Sequence, residues 1–171
     1  TVYNLGNYKK DDSLLKKHID AIIKYELVDV AAIKKKNFKI VIDAVNSTGA
    51  IAVPALLKAL GVTNLVVLHG DVTGDFAHNP EPLPEHLSDL SNAVVRENAQ
   101  LGIAVDPDVD RLCFVCEDGS MFGEEYTLVA VADYILNKRK GNTVSNMSST
   151  RALKDVTLKQ GGEYYPSMVG E

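Results

Sequence analysis

The run FKIVID at residues 38–43 sets the tightest limit on how this chain can fold. It is almost continuously apolar, rich in β-branched side chains, and lacks the alternation of a strand with one wet face. It therefore reads as a strand buried on both faces. Such a strand needs a layer above and a layer below, and the following sequence supplies them. NSTG (46–49) is a turn, and residues 50–60 carry a helical pattern closed by Gly61. NLVVLHG (64–70) is a second strand, residues 85–99 a helix, and residues 101–105 a third strand. Strands alternating with helices predict a largely parallel α/β sheet. Ligands of such sheets bind beyond the carboxyl ends of the strands.

The flanks extend this pattern. The first dozen residues are a polar linker, and Asp11, Asp12 and Ser13 then open a helix bearing Leu14, Leu15, Ile19, Ile22 and Ile23. A short helix is expected over 28–36. After the third strand come LCFVC (112–116), a hairpin turn at Glu117-Asp118-Gly119, and a return arm at 120–122. Gly123, Glu124 and Glu125 lead into a helix over 126–138, followed by a strand (143–146), a helix (150–160) and a strand (163–166). The expected fold is an α/β three-layer sandwich with a mixed, mostly parallel sheet over 38–123. Linker and helices (1–37) precede it, and an incomplete second α/β unit (124–171) follows. The stretch 70–84 is a long loop rich in Gly, Pro and Asp, of a kind that in compact domains is usually functional.

Composition excludes several classes. Apolar residues make up 46% and charged residues 24% of the 171, an ordinary globular balance. The net charge is −5 and no basic block exceeds the KKK at 34–36, so no nucleic-acid partner is expected. No run approaches the ~18 apolar residues of a membrane span, and the N-terminus lacks the apolar core of a signal peptide. A soluble, cytoplasmic protein with no membrane partner is the expectation. Cys113 and Cys116 form a C-x-x-C, but on a strand positions three apart point to opposite faces, so the pair neither bridges nor chelates.

The chemistry concentrates in IAVDPDVDRLCF (103–114). Asp106, Asp108 and Asp110 stand at every second position, directly after the third strand, and Arg111 follows. Wrapped into a loop, three carboxylates converge and repel one another unless a cation sits between them. Hard oxygen ligands in a tight loop suit Mg²⁺, which keeps room for water or a phosphate oxygen. Arg111 can hold a phosphate or pair with one of the acids. A calcium hand also begins D-x-D-x-D, but its sixth position requires Gly and here is Arg111. The haloacid-dehalogenase-like phosphatases place their nucleophile as D-x-D-x-T/V after an apolar strand. Ala104 to Val109 fit that form, with Asp106 as nucleophile, although that family carries the motif on its first strand. The plain alternative is an α/β interaction module whose acidic turn binds nothing.

DPDVDR resembles the metal-binding loop D-G-D-x-D-R of the α-D-phosphohexomutases, the phosphoglucomutase and phosphomannomutase family, with Pro107 in place of Gly. Residues 18–33 look like that family's connection between its first and second domains. FKIVIDAVNSTGAIAVPALLKALG (38–61) looks like the opening of the second domain, GDFAHNPEPLPEHL (74–87) like its Phe/His/Asn/Pro loop, and 146–171 like the early third domain. The resemblance implies that 1–37 closes the first family domain, 38–123 is the second, and 124–171 is a truncated start of the third. It implies an intramolecular phosphotransferase that interconverts hexose 1-phosphate and 6-phosphate, glucose and/or mannose, through a bisphosphorylated sugar. Asp106, Asp108 and Asp110 would hold Mg²⁺, and Arg111 would help position the phosphorylated substrate or the phosphoserine. The phosphoserine, the sugar loop and the phosphate loop would lie outside this chain, leaving it inactive alone. Ala77-His78-Asn79-Pro80 superficially resembles the phosphoserine loop, but residue 77 has no hydroxyl. His78 and Asn79 are expected to structure the loop. Glu124 and Glu125 are expected at a domain junction or helix start.

Overall fold

The computed structural model describes residues 6–170. The first five residues of the 1–37 segment and Glu171, at the end of the 124–171 segment, lie outside the described residues. At the centre is β1 (Lys39–Asp43), parallel to β2 (Asn64–Leu68) on one side and to β3 (Leu101–Val105) on the other. β4 (Leu112–Cys116) pairs antiparallel with β3, giving the order β2-β1-β3-β4. The reversal follows from the connection. Residues 106–111 are too few for a parallel crossover, which needs about a dozen residues, so the chain must return antiparallel.

Both faces of β1 are covered. Val41, Ala104, Cys113 and Val115 pack against Leu87 and against Leu90, Ala93 and Val94 of the helix Ser88–Arg96. On the other face Ile40, Ile42, Ile103 and Val105 meet Leu57 and Val53 of the helix Gly49–Ala59, together with Val62 and Ile33. Val41 and Ile42 have no exposed surface, and each contributes about 1.5–3 kcal/mol on burial. These contacts make the three layers.

The helices are α1 (Leu14–Ile23), α2 (Val30–Lys36), α3 (Gly49–Ala59), α4 (Ser88–Arg96), α5 (Glu124–Lys138) and α6 (Ala152–Lys159). α1 packs on α3. At the start of α1, Ser13 gives its hydroxyl to Asp11 and does not cap the helix. α2 is capped by Asp29, which accepts from the Ala32 amide at 2.9 Å, and ends on Asn37 in the left-handed region. The helix expected over 85–99 is divided. A 3₁₀ turn occupies Pro84–His86, Leu87 leaves helical geometry, and α4 begins only at Ser88. Pro84 holds Leu83 extended (ψ 152) and opens the 3₁₀ turn. The hairpin return arm is reduced to a single bridge between Val115 and Met121, with Gly119 at φ +83 in the turn.

Beyond the first sheet, β5 (Thr143–Asn146) and β6 (Tyr164–Ser167) form a two-stranded parallel pair connected through α6, and α5 packs against α6 and β4. Val144 and Tyr165 on these strands remain half exposed or more.

One glycine places the helix that flanks the acidic loop. A Cβ at Gly49 would lie 2.5 Å from Val105 Cγ2. Its absence lets the N-terminus of α3 close onto the end of β3, one residue before Asp106.

Candidate metal centre

The loop 106–111 is built by its own first aspartate. Asp106 is 7% exposed, and its Oδ1 accepts the amides of Asp110 (3.1 Å) and Arg111 (3.0 Å). Its carbonyl accepts the amide of Val109 at 3.2 Å. Closing so tightly forces Val109 to φ +65, which costs a β-branched residue of order ~1–3 kcal/mol. The packing of Val109 against the apolar layer around Ile103 and Val105 offsets that strain.

The neighbouring β1–α3 connection braces the loop from outside. Ser47 Oγ and Thr48 Oγ1 both donate to the Pro107 carbonyl, at 2.8 and 2.7 Å. From sequence, 46–49 reads only as a turn. Two hydroxyls at the carboxyl end of the adjacent strand were the signal that could have found them.

Asp106, Asp108 and Asp110 are brought together, each offering an oxygen within 4.8 Å of the others. The side chains of Asp108 and Asp110 are exposed while Asp106 is buried. The Asp110 carboxyl is raised above the ordinary value, first by its hydrogen bond with Asp106 and then by the charges of Asp108 and Asp106. For Asp106, burial pushes upward, but the Arg111 amide, the Asp110 side chain and amide, and the Arg111 charge outweigh it and leave the carboxyl lowered. One acid is thus fixed as an anion and another resists ionising beside it. A set of three converging hard oxygens with uncompensated like charge is a donor set that fits a small divalent cation.

Arg111 flanks the cluster and bridges it to Glu81. Its Nη1 is 2.9 Å from Glu81 Oε1, and its Nε is 3.9 Å from Asp106 Oδ2. Glu81, Pro82, Leu83, Arg111 and Leu112 line a cleft of about 400 Å³ beside the acids. Glu81 was not singled out from the sequence, since nothing local marks a partner 30 residues away. The 70–84 loop that carries it is organised by Asn46, at φ +56. The Asn46 side chain accepts from the Ala77 amide and its carbonyl accepts from the Gly74 amide. Asn79 Oδ1 accepts from the Glu81 amide at 3.0 Å, and His78 reaches Asp43. Cys113 is buried and Cys116 partly so, with no disulfide between them. No helix among the described residues is long and apolar enough to cross a membrane.

Residues 16–119 match the family described as Phosphoglucomutase/phosphomannomutase, alpha/beta/alpha domain II. The Phosphoglucomutase/phosphomannomutase of Thermococcus kodakarensis is 33% identical over 98% of this chain, and the Probable phosphoglucosamine mutase of Methanopyrus kandleri is 31% identical over 97%. The chain spans 36% of the length of each of these curated relatives. A crystal structure of a phosphoglucomutase/phosphomannomutase family protein from Burkholderia thailandensis is 30% identical, with a TM-score of 0.72, over 91% of this chain and 38% of that one. A structure from Thermus thermophilus assigned to a phosphomannomutase, 23% identical over 96% of this chain and 38% of that one, shares the fold with a TM-score of 0.85. The haloacid-dehalogenase-like reading finds no support in these matches, and the acidic loop follows the third strand of the sheet, not the first. With the family match covering 16–119 and the aspartates gathered beyond β3, the chain belongs to the phosphoglucomutase/phosphomannomutase family, the α-D-phosphohexomutases.

Proposed function

We propose that this chain is the metal-binding part of a phosphohexomutase that interconverts the 1- and 6-phosphates of a hexose, glucose and/or mannose. The reaction runs through a bisphosphorylated sugar and a phosphoserine of the enzyme outside these residues. Residues 1–37 close the preceding domain, 38–123 are the metal-binding domain, and 124–171 begin the next. The enzyme works in the cytoplasm on a phosphosugar, and the net charge of −5 favours no nucleic-acid partner.

The convergence of Asp106, Asp108 and Asp110 at the carboxyl edge of the sheet, with Arg111 turned to an adjoining cleft, carries this reading. The three aspartates hold Mg²⁺. When bound, the ion offsets charge on the phosphoryl oxygens as the group moves. Asp106 stays ionised and oriented by the two amides it accepts. Ser47 and Thr48 keep the loop from opening through the Pro107 carbonyl. Arg111 presents a guanidinium to the substrate phosphate, with Glu81 as its resting partner until the anion arrives. Because phosphoserine, sugar loop and phosphate loop lie outside the 171 residues, these residues alone neither isomerise nor hydrolyse a hexose phosphate.

Mn²⁺ added to the chain tests this by NMR. Paramagnetic broadening centred on the amides of 106–111, followed by shifts at Arg111 when glucose or mannose 1-phosphate is added with Mg²⁺, is the expected result. Broadening centred elsewhere, or release of phosphate from a generic phosphomonoester, contradicts it.

A further inference from the structure

A second group of side chains converges one strand away from the acidic loop. Asp43, the last residue of β1, has a side chain only 1% exposed. His69, just past β2, places Nδ1 3.0 Å from Asp43 Oδ1, and His78, from the 70–84 loop, places Nε2 3.1 Å from Oδ2. The Val45 amide donates to Oδ1 at 3.1 Å. The two rings meet edge to face with centroids 5.2 Å apart. One donor atom from each residue lies within 4.8 Å of the other two.

The hydrogen atoms reveal what this arrangement needs. His78 Nδ1 is 2.7 Å from the Asn79 carbonyl, which only accepts, so Nδ1 carries a hydrogen. A neutral ring then turns a bare lone pair at Nε2 toward Asp43 Oδ2, itself an acceptor when ionised. Two acceptors do not face each other at 3.1 Å in a partly buried site without a cation between them. A proton satisfies one ring. Here two rings aim at one carboxylate, and His78 directs its other nitrogen to an outer acceptor. For His78 that acceptor is the Asn79 carbonyl; the Nε2 of His69 faces Asp89 Oδ2 at 3.9 Å, beyond hydrogen-bond length. Metal-ligating histidines are held by outer partners of this kind.

We propose that Asp43, His69 and His78 form a transition-metal site of the zinc class. A carboxylate oxygen, His69 Nδ1 and His78 Nε2 supply three ligands, with a fourth position open. Its nitrogen donors distinguish it from the all-oxygen loop at 106–110, which favours a hard cation. The histidine side chains are 21% and 18% exposed, so an ion has access from solvent. Bound there, the metal ties the ends of β1 and β2 to the loop that brings Glu81 to Arg111. This site stands or falls independently of the mutase reading.

The test is a Co²⁺ titration of the chain in excess Mg²⁺, read by visible absorption and reversed by Zn²⁺, beside His69→Gln, His78→Gln and Asp108→Asn. The wild type and Asp108→Asn are expected to give the bands of four-coordinate Co²⁺. The two histidine variants should bind ~100-fold more weakly or worse, at or beyond the upper end of what losing an outer partner costs. Zn²⁺ should also shift the ring resonances of both histidines in the wild-type protein, a readout that requires no variant to fold. The proposal is overturned if the wild type shows neither the bands nor the ring shifts, since His78 is then an imidazolium paired with Asp43. It is equally overturned if Asp108→Asn abolishes the bands while the histidine variants keep them.

Discussion

Arg111 Nη1 and Glu81 Oε1 lie 2.9 Å apart and join the acidic loop after β3 to the long loop after β2. Both side chains are about half exposed, at 57% and 49%. Such a pair contributes little to stability, on the order of 0–1 kcal/mol. Under the proposed function its consequence is electrostatic: in the absence of substrate, Glu81 occupies the guanidinium that a phosphate would use.

Glu81→Gln is therefore expected to leave the urea midpoint nearly unchanged and to tighten binding of a hexose 1-phosphate. Arg111→Ala should weaken it. Chemical-shift titration with the sugar phosphate in the presence of Mg²⁺ reads both. Weaker binding by Glu81→Gln would assign Glu81 to the ligand and not to Arg111.

The brace on Pro107 makes a separate prediction. Ser47→Ala and Thr48→Val each remove one hydrogen bond to the same carbonyl, worth about 0.5–1.5 kcal/mol apiece. The double variant should lose more than the sum, because either hydroxyl alone still satisfies the carbonyl. It should also bind divalent metal several-fold more weakly. Urea unfolding and a metal titration on the same samples check the two effects.

Gly49→Ala puts a methyl group 2.5 Å from Val105 Cγ2. The helix must then withdraw from the end of β3, at about 1–3 kcal/mol. Equilibrium unfolding should show that loss, with looser metal binding, because Asp106 follows Val105 directly.

The acids predict an inverted pH response in metal-free protein. Asp110 binds its proton more tightly when folded than its usual 3.8 allows. Its contribution to stability is thus complete below that value and lost as pH rises through the raised one. Asp106, lowered, contributes in the opposite sense, and its part is lost as pH falls through its folded value. Asp110→Asn removes the first contribution and keeps the second. In chelator, the urea midpoint of the variant should fall less than that of the wild type as pH rises from 4 toward neutrality. Added Mg²⁺ should raise the wild-type midpoint only.

The strands were legible because their code is local. β3, β4 and β5 occupy 101–105, 112–116 and 143–146, as the apolar and β-branched runs predict. The acidic loop was legible for the same reason, since its three carboxylates and Arg111 are neighbours in sequence. What escaped reading depends on contacts across the fold. Glu81 meets Arg111 through a loop that Asn46 folds from another strand. Ser47 and Thr48 reach Pro107 only because β1 and β3 are adjacent. Asp43 reads alone as the polar end of a strand, and its two histidines arrive from 26 and 35 residues away. The break at Leu87, which divides the helix expected over 85–99, leaves no mark in the apolar periodicity.

The most direct measurement of the central claim is a calorimetric Mg²⁺ titration of this chain beside Asp108→Asn, with Zn²⁺ absent. Saturable binding that the variant loses, while its fold and its urea midpoint in chelator are retained, is the predicted result. Equal binding by the two proteins, or no heat at tens of millimolar Mg²⁺, would contradict a metal centre at Asp106, Asp108 and Asp110.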